Sequence, residues 1–155
     1  MAHEFRIVRE YPYRPEIVWR AMTDPGLIPR WTSTGRGGTP EGFEPRVGCR
    51  FRFVGRRVPG WDGVVRCEVL EAEAPNLLRY TWQGGEDERP SLVTNRIEPT
   101  AEGARLTFEH TGFSGVGGLV MSKLLGRIRR RMLDDGLPTV LATVASENGA
   151  SSRGA

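Results

Sequence analysis

The feature that most constrains this chain is a single change of hydrophobic period. In five stretches between Cys49 and His110 every second side chain points to one face: Cys49, Phe51 and Phe53; Val65, Cys67 and Val69; Leu78, Tyr80 and Trp82; Val93, Asn95 and Ile97; Leu106, Phe108 and His110. A period of two marks strands with one buried face. Turns at Pro59-Gly60, Ala74-Pro75-Asn76 and Ala101-Glu102-Gly103 and an acidic loop from Gly84 to Pro90 separate the stretches, which predicts an antiparallel meander. An earlier alternation, Phe5 to Tyr13, predicts one more strand. Two short helices follow, one starting at Arg14-Pro15 and stopped by Asp24-Pro25-Gly26, the other spanning Pro25 to Trp31. The stretch Thr32 to Pro45, rich in Gly, Thr and Pro, reads as loop or weak edge strand.

After the meander the period becomes helical. On a wheel centred on Arg127, Val120, Leu124, Ile128, Met121, Met132 and Leu125 occupy an arc of about 20° to 160°. Val140, Leu133, Val144, Leu137 and Leu141 occupy a different arc, about 220° to 320°. Gly136 and Pro138 sit near the jump, so a kink or short break is expected there. One strand-rich sheet and one long amphipathic helix bury each other if the sheet curves around the helix. The expected class is α+β, with a curved antiparallel sheet of six or seven strands, two short helices after strand one and a long kinked C-terminal helix. Residues 1–147 are expected to form one domain, followed by a small, polar, disordered tail at 148–155.

Composition narrows the function classes. The chain has 155 residues and a formal net charge of +3, enough for one core but a weak basic excess. Lys123 is the only lysine, so the cationic count reads first as the arginine bias of a GC-rich genome. Without a larger basic surface and exposed aromatic platforms, nucleic-acid binding is not expected. Cys49 and Cys67 have no metal-ligand spacing, and no phosphate cradle surrounds Gly35-Arg36-Gly37-Gly38, so neither metal nor cofactor is expected. Charged residues at the start and the lack of a long apolar run argue against a signal peptide and membrane insertion, which fits the cytoplasm.

The stretch Tyr13-Arg14-Pro15-Glu16-Ile17-Val18-Trp19-Arg20-Ala21-Met22-Thr23-Asp24-Pro25, with Trp31 beyond it, resembles the opening of START-like helix-grip (SRPBCC) proteins. That superfamily includes polyketide cyclases and lipid binders of the birch-pollen-allergen type. Val47-Gly48-Cys49-Arg50-Phe51-Arg52-Phe53 is similar to its glycine-then-aromatic strand, and Gly63 to Glu71 with Pro75 and Leu78 to Trp82 to the next hairpin. Leu106-Thr107-Phe108-Glu109-His110-Thr111-Gly112-Phe113 resembles the branch related to the C-terminal domain of activators of the ninety-kilodalton heat-shock chaperone. Arg127-Ile128-Arg129-Arg130-Arg131-Met132 looks more like the ending of bacterial polyketide-cyclase-like members. The resemblance implies a helix-grip fold with a cavity between sheet and long helix.

Such a cavity would take a small hydrophobic molecule: a lipid, polyketide or aromatic metabolite. Its expected apolar walls are Trp31, Phe51, Phe53, Tyr80, Trp82, Phe108 and Ile128, with Asn95, His110 and Arg131 as polar contacts. Arg129 and Arg130 fall outside the first apolar arc and read as solvated. His110 is the best catalytic candidate, because it alone among inward side chains titrates near neutral pH. It would serve a cyclase, dehydratase or hydrolase as acid or base; its plainer reading is a satisfied, partly buried histidine. A chaperone-activating module is the third and least favoured reading. If the inward side chains fill the concavity and leave no void able to hold more than a water or two, the expectation of ligand binding fails.

Overall fold

The computed structural model describes residues 2–32, 39–55, 59, 62–85 and 89–153. The glycine-rich stretch 35–38, Gly60 of the expected turn and 86–88 of the acidic loop lie outside the described residues. Seven strands form one antiparallel sheet: β1 (Ala2–Tyr11), β2 (Thr39–Glu41), β3 (Arg50–Val54), β4 (Val64–Glu73), β5 (Leu77–Trp82), β6 (Ser91–Pro99) and β7 (Ala104–Ser114). Their spatial order is β1-β7-β6-β5-β4-β3-β2. The meander therefore runs in sequence from β2 to β7, and β1 closes onto β7. The expected weak edge within Thr32 to Pro45 is β2, three residues long. Helices α1 (Pro15–Thr23) and α2 (Ile28–Thr32) follow β1, and α3 (Gly115–Arg131) and α4 (Leu137–Arg153) end the chain.

Register explains which side chains share the concave face, since residues opposite one another in an antiparallel pair project to the same side. Ile7 pairs with Phe108, Phe108 with Asn95, and Asn95 with Leu78, which makes one row across four strands. The neighbouring row joins Phe5, His110, Val93, Tyr80 and Val69. Phe51 and Phe53 extend the face on β3, opposite Cys67 and Val65. Much of the arginine excess lies on exposed strand positions as ion pairs, such as Arg50 with Glu68 at 3.0 Å and Arg105 with Glu10 at 2.9 Å. Exposed pairs of this kind contribute little to stability.

The kink or short break expected near Gly136 and Pro138 falls on a disturbance of the C-terminal helix. Residues Met132–Gly136 form one π-helical turn between α3 and α4, with Arg131 and Leu137 both in ordinary right-handed helical conformation. Pro138 supplies the reason. In this wide turn the Leu137 N–H bonds the Met132 carbonyl, five residues back. The next bond of that ladder would need an N–H at residue 138, which proline lacks. The Leu133 carbonyl is taken instead by the Tyr11 hydroxyl, which donates to it across 2.8 Å. A second tie from β1 to the same turn is the Arg9 ion pair with Asp134. The wide turn brings Met132, Leu133, Gly136 and Leu137 all to the buried side.

The orientation of α3 overturns the expected first arc. Val120 is 62% exposed and Leu124 48%, and Met121 is exposed as well, although Leu124 was expected to point inward. Among the described side chains of α3 the buried positions are Ser122, Gly126 and Arg129. On a continuous wheel these lie at about 200° to 260°, beside the stripe that α4 buries. Leu133, Leu137, Leu141 and Val144 are at most 1% exposed, so α4 sets the roll of the whole helix. Small residues let α3 follow. A Cβ on Gly118 would stand 3.1 Å from the Phe113 carbonyl carbon, and one on Gly126 3.5 Å from the Phe5 ring. Finally, α4 runs to Arg153.

Candidate functional site

Between sheet and helix the side chains nearly close the concavity. A cavity of about 20 Å³ remains, room for a single water or so. Phe51, Phe53, Tyr80 and Phe108 wall it from the sheet, Trp31 and Thr32 from α2, and Asn95 and Arg129 supply polar surface. Phe51 sits edge-on to Phe43, Phe53 and Tyr80 at centroid distances of 4.8, 5.4 and 5.4 Å. Interlocked rings of this kind are the packing that fills the space. Among the described residues no spacious, pre-formed cavity lies between sheet and helix, so the condition set against a ready-made ligand pocket is met.

Six of the expected wall and contact residues line this cavity: Trp31, Phe51, Phe53, Tyr80, Asn95 and Phe108. Trp82 stands next to them, 5.6 Å from Phe53 and 5.5 Å from His110 between ring centroids. Ile128 is partly buried against the core. Arg131 is a correction: it is exposed and meets no part of the cavity. The arginine that does is Arg129, expected to be solvated but only 5% exposed. Its guanidinium carbon lies 5.0 Å from the Trp82 ring centroid and 5.1 Å from that of Phe108. Its Nη1 donates to the Met132 sulfur at 3.5 Å, a weak acceptor. The signal for Arg129 was available in the wheel, four residues before Leu133, once the α4 stripe is extended backward.

His110 is fully buried, in contact with Phe113 at 4.2 Å and with Phe5 and Trp82 at 5.5 Å. Its Nε2 lies 2.7 Å from the Ser91 hydroxyl, and that hydroxyl lies 3.1 Å from the Trp82 carbonyl. One assignment satisfies both: Nε2–H donates to Ser91 Oγ, and Ser91 donates its own proton to the carbonyl. Nδ1 then carries a lone pair and has no partner. Burial, with a smaller contribution from the Arg129 charge, lowers the imidazole to about 3. The ring is neutral across the physiological range, and Ser91 keeps a proton that His110 does not withdraw. In that assignment the lone pair that would take the serine proton sits on Nδ1, facing away from Ser91. Sequence reasoning missed Ser91, because nothing in a serine at a strand start indicates a histidine opposite.

Two further groups show the local electrostatics. Burial pushes the Tyr80 phenol up to about 12, and the Arg129 charge works against that rise. Asn95, 3% exposed, hydrogen-bonds the Tyr80 phenol through its side chain and leaves its Oδ1 without a donor. Among the described residues no group of three His, Cys, Asp or Glu side chains could hold a metal ion, and no helix is long and apolar enough to cross a membrane.

A curved antiparallel sheet closed on a long C-terminal helix, with two short helices after the first strand, defines a START-like helix-grip protein. The chain belongs to the family described as Activator of Hsp90 ATPase homolog 1-like protein, which matches residues 12–127. Among solved structures, protein MLL2253 from Mesorhizobium loti is 29% identical, with a TM-score of 0.76 over 91% of this chain and 98% of that one. The protein of unknown function SA2116 from Staphylococcus aureus is 16% identical, with a TM-score of 0.75 over 94% and 97%. CalU16 from Micromonospora echinospora is 23% identical, with a TM-score of 0.65 over 97% and 85%. The last two bear on the fold alone. No curated protein matches the chain.

Proposed function

We propose that the protein, as a domain of residues 1–147 in the cytoplasm, binds a small, largely apolar ligand between the sheet and α3, and that binding widens the cavity. The observation that carries this reading is Asn95 Oδ1, buried without a donor in an aromatic-lined recess. An unpaired buried acceptor costs about 1–3 kcal/mol, which a ligand hydroxyl or amine would recover. Phe53 and Trp82 are only partly buried, so the wall gives way most cheaply on their side. Trp31, Phe51, Tyr80 and Phe108 form the rest of the apolar enclosure. His110 supports Trp82 from behind.

The cyclase, dehydratase or hydrolase reading needs His110 to exchange a proton near neutral pH, and a neutral ring whose Nε2–H faces Ser91 favours binding over turnover. The chaperone reading rests on the family's description and on the likeness of Leu106 to Phe113 to the activator branch. Native mass spectrometry of protein from its own host is expected to detect a small apolar adduct that is weakened in Asn95→Leu. A protein with no adduct, and with no NMR shift changes at Asn95 or Tyr80 across a panel of apolar compounds, rejects the ligand reading. Recovery of the heat-shock chaperone in place of an adduct favours the interaction reading.

A further inference from the structure

A guanidinium withdrawn from water normally acquires a carboxylate or a set of carbonyl acceptors, because burying an unpaired charge is expensive. Arg129 is 5% exposed and lines the cavity, yet among the described residues it has no ion-pair partner. Its contacts are the faces of Trp82 and Phe108 and the sulfur of Met132. The two rings stabilise the cation from the sides by roughly 1–2 kcal/mol together. They accept none of the planar fork of N–H groups that matches a carboxylate in geometry. The positive field is felt throughout the site: Arg129 opposes the upward shift of Cys67 and Tyr80 and adds to the lowering of His110. An unpaired acceptor, Asn95 Oδ1, lines the same cavity.

Resting on the ligand-binding reading above, we infer that the ligand is an apolar acid: an aromatic or aliphatic body bearing one carboxylate that seats on Arg129, with a hydroxyl or N–H group that donates to Asn95. The cation stacked between Trp82 and Phe108 marks the end of the cavity where the charged head lies. The body then runs toward Phe51, Phe53 and Tyr80. A neutral lipid of equal size would leave Arg129 as it is now, desolvated and without an anion, and so would bind less well.

The test uses matched pairs that share an apolar body: 2-naphthoate against 2-naphthalenemethanol, and decanoate against 1-decanol, titrated into the full chain by calorimetry. The acid of each pair is expected to bind about tenfold or more tightly, the worth of one charge-assisted hydrogen-bonded contact. In Arg129→Met that preference disappears while the alcohol still binds; in Arg129→Lys it is reduced. Arg131→Gln, at an exposed position on the same helix, leaves it unchanged and controls for surface charge. Circular dichroism confirms that each variant is folded, and Arg129→Lys carries the test if Arg129→Met is not. Equal affinity for acid and alcohol in the natural sequence, or an acid preference that survives loss of the Arg129 guanidinium, overturns the inference and leaves apolar binding standing. No binding of either member of either pair overturns both.

Discussion

α3 and α4 follow one another through a single π-helical turn, yet their apolar residues face different ways. In α4 the apolar stripe is buried to 2% exposure or less at Leu137, Val140, Leu141 and Val144. In α3 the apolar side chains Val120, Met121 and Leu124 stand in solvent, and a serine, a glycine and an arginine face the sheet. A helix transmits its roll along its length, so two stripes on different arcs cannot both be buried unless the turn between them compensates. The π-turn widens the joint but does not bring the α3 arc inward. The stripe with the larger burial wins, and the losing half gains something else, a polar residue set against the aromatic wall. What the comparison teaches is that the site arises on the half whose own hydrophobic pattern was overruled.

The largest expected effect tests that dominance directly. Leu137→Ala removes a fully buried side chain and is expected to cost about 2–5 kcal/mol in urea unfolding. Leu124→Ala, a chemically identical change on α3, is expected to stay within about 0.5 kcal/mol. Comparable losses at the two sites would mean that α3 buries its apolar arc in solution.

An intermediate effect probes the charge that α3 carries inward. His110 is lowered from 6.5 to about 3 in the folded protein by burial and by Arg129. The unfolded chain therefore takes up a proton that the folded one refuses. That contribution is complete above pH 6.5 and is lost as pH falls toward 3, by up to about 1.4 kcal/mol per unit. Unfolding followed from pH 7 toward 3 is expected to show this loss, levelling off at a higher pH in Arg129→Met and with none of this component in His110→Gln. A loss that levels off at the same pH in Arg129→Met would place the guanidinium too far from the imidazole to matter.

The smallest effect concerns the joint itself. Tyr11→Phe leaves the Leu133 carbonyl without the hydroxyl that replaces the missing N–H of Pro138, and is expected to cost about 1–2 kcal/mol. No change would show that water serves that carbonyl as well as the tyrosine does.

The strands were legible because alternation is a local property. Phe51, Tyr80, Asn95 and Phe108 lie on the concave face as their parity requires, and antiparallel register then sets Asn95 beside Phe108. Most of the wall of the site follows from that. The helix face was not legible in the same way. Two arcs were visible in the pattern, but which one the protein buries depends on the depth of the pocket that receives each. Arg131 was assigned inward and Arg129 outward because the wheel was read from the α3 arc. Ser91 and its contact with His110 join strands nineteen residues apart, and no local pattern encodes such a pair.

By itself the sequence determined the order of the elements, the buried face of the central strands and the need for a disturbance near Pro138, since each depends on side chains within a few residues of one another. Only the tertiary structure decided the form of that disturbance, the roll of the C-terminal helix and so the arginine that enters the site. Those are settled by competition between distant surfaces for the same interior, in which the deeper apolar burial of α4 outweighed that of α3 and carried Arg129 in with it.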